Sequence, residues 1–222
     1  MHIMYVLRNI LDTKTIYAAN QFRNIPYFVG MIFLLLNGEG GGILTSLVTG
    51  RPSSFLLEDY KFASILLAWT SWYILSESLR AKIYNLFFTH PTSLLFVLPN
   101  EFRRALSLCS GVVAFHLLFK SHSFSPWFLA GLSTTFGGQF VFPILERRLL
   151  QFHTQSPHKK NALRDPSRAL IVPFLCSAFY NYSLLHPGLI SPERAQFVVV
   201  AVFLTMPILG YIKPPVDKKK KD

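Results

Sequence analysis

Residues 25–48 read IPYFVGMIFLLLNGEGGGILTSLV, a run with one carboxylate and no lysine or arginine. A helix rising 1.5 Å per residue needs about 20 mainly apolar residues to cross about 30 Å of hydrocarbon, so this stretch has the length and composition of a membrane span. Gly38-Glu39-Gly40-Gly41-Gly42 sits inside it. Each glycine costs about 1 kcal/mol relative to alanine in a helix, so the run needs a reason. One reason is close approach of helix backbones; another is a broken helix whose freed backbone groups line a polar path. Glu39 sharpens the choice. At membrane depth an ionised group is costly unless paired, protonated or hydrated, so Glu39 is either a functional residue or a paired carboxylate that fixes a helix contact.

Working outward, five more apolar stretches are expected to cross: 62–79, 86–119, 125–146, 167–186 and 195–212. The chain of 222 residues is 51% hydrophobic and 15% aromatic, and only 15% charged, where a soluble domain would carry about a quarter charged residues. The expected fold is an all-α, polytopic membrane helix bundle of about six transmembrane helices. Residues 1–23 form a polar N-terminal segment, 24–212 the helical domain, and 213–222 a basic tail. The third stretch is too long for one straight crossing and is interrupted by Pro99, Asn100, Glu101, Arg103 and Arg104. It is expected to be a long broken helix or a surface helix leading into a span.

Basic residues beside the spans set orientation. Arg8, Lys14, Arg23, Arg80, Lys82, Arg147, Arg148, Lys159, Lys160, Arg164, Arg168, Lys213 and the lysines at 218–221 fall on one side. Arg51, Lys61, Lys120 and Arg194 fall on the other. Six crossings with both termini on the positive side follow. Membrane lipids, including anionic headgroups, are the expected partners, and nucleic acid is not.

The glycine theme returns in the fourth span as Gly137-Gly138, followed by Gln139 and Pro143. Glycine-interrupted spans in corresponding places of two halves point to an inverted-repeat channel or transporter. Arg103 and Arg104 place positive charge in an apolar run, and the planar guanidinium suits a lipid phosphate, Glu39, Glu101 or backbone carbonyls. Cys109 and Cys176 lie apart inside apolar runs and read as buried thiols. The seven histidines lack metal-ligand spacing, and no phosphate loop, nucleophile elbow or paired-carboxylate motif is present. Neither an enzyme, a metal nor a cofactor is therefore expected, although a bound phospholipid fits the pattern. Lys219 and Lys220 stand fourth and third from the end. They form either a dilysine retrieval signal or part of a basic end drawn to anionic headgroups.

In order, the blocks GEGGGILTSLVTGRP (38–52), ILLAWTSWYIL (65–75), LLFVLPNEFRRALSLCSGV (94–112), PWFLAGLSTTFGGQFVFPILERRLL (126–150) and the closing DPSRALIVP and ISPERAQFVVVAVF resemble the trimeric intracellular cation channels. The resemblance, over about residues 25–212, implies a homotrimer with a separate ion path in each subunit. Members have seven spans, six forming an inverted repeat, with glycine-kinked helices beside the path and an inositol lipid at a lysine-glutamate-valine motif with a nearby arginine. Carried over, it places Glu39, Gly40, Gly41, Gly42, Thr135, Gly137 and Gly138 near the path and Glu101 and Arg104 at the lipid, where guanidinium chemistry adds Arg103. Asn100 stands where the lipid motif has its lysine, and Thr135 where many animal members have one. The family's first helix has no apolar counterpart in residues 1–23.

Two functions are expected from this. One is a potassium-passing channel of the endoplasmic reticulum membrane that carries counter-current to calcium release. The other is a non-conducting accessory subunit that keeps the fold inside a larger assembly of the mitochondrial inner membrane, such as a respiratory or ATP synthase complex.

Overall fold

The computed structural model describes residues 2–19, 25–87, 92–119, 125–135 and 166–212. Those residues form nine helices: α1 (His2–Ala19), α2 (Tyr27–Thr49), α3 (Ser54–Leu57), α4 (Asp59–Ile74), α5 (Glu77–Phe87), α6 (Leu94–Phe119), α7 (Ser125–Thr135), α8 (Pro166–Leu185) and α9 (Pro192–Ile212). By length and hydropathy three of them can cross a bilayer, over Tyr27–Thr49, Leu94–Phe119 and Pro192–Leu209. The expected helical membrane bundle is therefore present, and three helices pass that test where six spans were expected.

Local chemistry sets the boundaries. Ser191 caps α9, its hydroxyl accepting from the Arg194 amide at 3.4 Å. Pro192 takes the first helical position and Glu193 the first turn, where a missing amide proton and a negative charge are both favoured. The stretch 62–79, expected as one span, divides at Leu75, whose extended backbone (ψ 139°) ends α4. Ser76 then caps α5 by accepting from the Leu79 amide at 3.4 Å. α5 is short and amphipathic: Arg80 is buried, Ile83 and Tyr84 pack on the core, and Leu86 is exposed. The stretch 86–119 divides too, because residues 86–87 end α5 and α6 begins at Leu94. From there α6 runs unbroken for 26 residues, about 39 Å, with Pro99 inside it.

Helix packing divides the bundle into two three-helix units. α1, α2 and α4 pack on one another, as do α6, α7 and α8. Between the units α1 lies against α6 and α2 against α7, so first helix meets first and second meets second. α9 closes the second unit against α6 and α8.

The N-terminal segment belongs to this bundle. Its buried positions Tyr5, Arg8, Asn9, Asp12, Thr13 and Ile16 recur at steps of three and four, the face of one helix. The face is mostly polar, while Ile3 and Val6 are exposed on the outside. α1 is thus amphipathic in the sense opposite to a soluble helix. Within the segment 1–23, expected to stand as a polar N-terminal piece, residues 2–19 pack into the bundle as α1, and Arg8, Asn9, Asp12 and Thr13 face inward.

Candidate functional site

The glycine segment runs through α2 without interrupting it. Close packing accounts for two of its glycines. A Cβ on Gly41 would overlap the Ser133 carbonyl oxygen of α7, and one on Gly38 would stand 2.7 Å from a terminal nitrogen of Arg8. Gly41 therefore lets α2 meet α7 backbone to backbone, and Gly38 leaves the bed in which a guanidinium of α1 lies.

Glu39 faces the same centre and is 5% exposed. Its Oε1 accepts from the Tyr5 hydroxyl at 2.6 Å and from Arg8 Nη1 at 2.8 Å. Arg8 Nε lies 3.2 Å from Asp12 Oδ2, one helical turn along α1. Arg103 of α6 lies within electrostatic reach of Glu39, Asp12 and Arg8, with its Nε buried and without a hydrogen-bond partner. Next to Arg8 on the buried face of α1, Asn9 Nδ2 donates to the Ser64 hydroxyl of α4 at 2.8 Å. The site thus gathers two carboxylates, two guanidiniums, a phenol and an amide from three helices, with the Ser64 hydroxyl from a fourth. A buried charge is tolerated where a partner neutralises it and hydrogen bonds satisfy it, and Glu39 has both. Of the alternatives open for Glu39, the paired carboxylate fixing a helix contact is the one the geometry displays.

The residues singled out as an ion path divide. Glu39, Gly40 and Gly41 lie at the meeting of α1, α2 and α7, while Gly42 is exposed one turn toward the helix end. Thr135 is buried, its hydroxyl donating to the Gly131 and Leu132 carbonyls of its own helix at 3.1 and 3.0 Å. Gly137 and Gly138 lie outside the described residues, as do Lys219 and Lys220. The lipid trio divides as well. Arg104 Nη1 bonds both oxygens of Glu101 at 2.9 Å and its guanidinium lies over the Phe203 ring of α9 at 5.7 Å. Arg103 turns to the Glu39 cluster, because neighbours on a helix face different ways.

Sequence reading missed Tyr5, Arg8, Asn9 and Asp12. The signal was their helical spacing, which a search for apolar runs passes over. Among the described residues no group of three or more His, Cys, Asp or Glu is placed to hold a metal ion.

No protein-family model matches the chain, and no curated protein matches it in sequence. Solved structures do. The trimeric intracellular cation channel from C. elegans with bound Ca2+ aligns at TM-score 0.69 and 16% identity, covering 95% of this chain and 90% of that one. The same channel without Ca2+ aligns at TM-score 0.71 and 18% identity, covering 97% and 92%. A TRIC counter-ion channel, of the kind active in calcium release, aligns at 0.70 and 17%, covering 94% and 92%. At 97% coverage fewer residues remain unmatched than the 18 of α1, so α1 shares in the match. Where the sequence offers no apolar first span, the structure supplies a helix with an inward polar face. The chain has the fold of the trimeric intracellular cation channels.

Proposed function

We propose that the protein is a channel for monovalent cations, potassium among them, that works as a homotrimer in an intracellular membrane, the endoplasmic reticulum first. What carries the reading is the extent of the likeness: nearly the whole chain aligns with nearly the whole of channels built for cation passage. The buried polar centre between α1, α2 and α6 supports it, since a polar interior at membrane depth is the usual mark of an ion or substrate route. In this reading α1 is the first crossing, with its polar face toward the route, which places the two termini on opposite sides of the membrane. Arg104, oriented by Glu101, would hold a lipid phosphate beside α9, with Asn100 contributing no charge.

The accessory-subunit reading drew its support from a lost first helix, and α1 removes that ground. Purified protein tests the channel directly. A homotrimer that passes potassium current in planar bilayers is expected; a single copy embedded among unrelated subunits, with no current, overturns it.

A further inference from the structure

The carboxylate of the glycine segment already has a cation, and that cation is part of the chain. Arg8 Nη1 sits 2.8 Å from Glu39 Oε1, Asp12 steadies the other side of the guanidinium at 3.2 Å, and Gly38 leaves the room in which it lies. Both side chains are almost wholly buried. With Arg103 in reach, the two carboxylates Glu39 and Asp12 face two guanidiniums, so the cluster offers no net negative charge to a passing ion. Around the pair, Asn9 Oδ1 and Arg103 Nε are buried without hydrogen-bond partners, the condition under which internal water is held.

We propose that Arg8 is a tethered blocker: its guanidinium occupies the carboxylate that a permeating cation would use, and the route opens when α1 withdraws Arg8 from Glu39. This rests on the channel reading above. The blocker differs from a mere helix clamp in one respect, because an ion of the same shape supplied from solution should replace it.

The test is rescue of the Arg8→Ala variant by guanidinium ion. In planar bilayers Arg8→Ala is expected to raise open probability about tenfold over the parent. Millimolar guanidinium chloride should return the variant to the parent level and leave the parent unaffected. Adding Glu39→Gln to Arg8→Ala should abolish that sensitivity. Where Arg8→Ala does not fold, Arg8→Gln serves, since its amide can still bond Glu39 without carrying charge. Unchanged open probability, or equal action of guanidinium on parent and variant, overturns the proposal.

Thermal unfolding in detergent separates this from failure of the channel reading. A midpoint raised by millimolar guanidinium in Arg8→Ala but not in the parent keeps the guanidinium site even if no protein conducts, and in that case the channel is what falls. No current and no such shift sinks the blocker.

Discussion

The two three-helix units share an arrangement and differ in what fills them. In α1–α2–α4 an apolar cluster of Tyr5, Ile16, Phe33, Leu34, Ile65, Trp69 and Trp72 is joined by a polar group of Arg8, Asn9, Asp12, Glu39 and Ser64 that ties helices side chain to side chain. In α6–α7–α8 the centre is Ala105, Leu108, Cys109, Val112, Phe115 and Ala130. Its buried hydroxyls mostly donate to carbonyls of their own helix, as Ser133 does to Ala130 and Ser183 to Tyr180. Ser177 also reaches across to the Trp127 carbonyl. In lipid there is no hydrophobic drive pulling helices together, so association rests on packing and on polar ties. Both units pack, and the first adds buried charge pairs to its packing.

Breaking the first unit at its charges should cost most. Arg8→Ala strands two buried carboxylates and is expected to destabilise by about 3–5 kcal/mol, read from the unfolding midpoint in detergent; a loss below that of Leu108→Ala would mean the charges are hydrated rather than paired. Gly41→Ala tests the seam between units: its methyl would overlap the Ser133 backbone carbonyl, which cannot swing aside as a side chain could, and about 3 kcal/mol of overpacking is expected. Leu108→Ala, in the apolar unit, should cost about 2 kcal/mol, near the low end for a cavity because lipid solvates the unfolded helices' apolar groups. Asn9→Ala removes the tie to Ser64 and should cost about 0.6 kcal/mol. An Asn9→Ala loss that vanished in a Ser64→Ala background would place the whole effect in that hydrogen bond, by double-mutant cycle.

Much of this was legible in the chain. The run at 25–48 announces α2 by length and apolarity, and the order of motif blocks announces the fold. The span expected over 195–212 falls within α9, whose start at Pro192 is set by Ser191, Pro192 and Glu193. The division at Leu75–Ser76 was hidden because Trp72, Tyr73 and Leu79 continue the apolar run across a backbone that has turned. α1 was hidden for a deeper reason. Hydropathy averaging assumes that polar residues face water, and at Arg8, Asn9 and Asp12 they face protein instead. The partner of Glu39 was unreadable for the same cause, lying 31 residues away on a helix that the average does not register.

The inverted face of α1 has a consequence for how the protein is made. On an insertion scale where one arginine or aspartate at a helix centre costs about 2.5–3.5 kcal/mol, Arg8 and Asp12 together outweigh much of what the apolar residues of α1 can return. Made before the helices it pairs with, α1 has little reason to leave water alone. Its carboxylate partner arrives only with α2 and its arginine neighbour only with α6, so α1 must wait for helices made after it before its polar face has anything to meet.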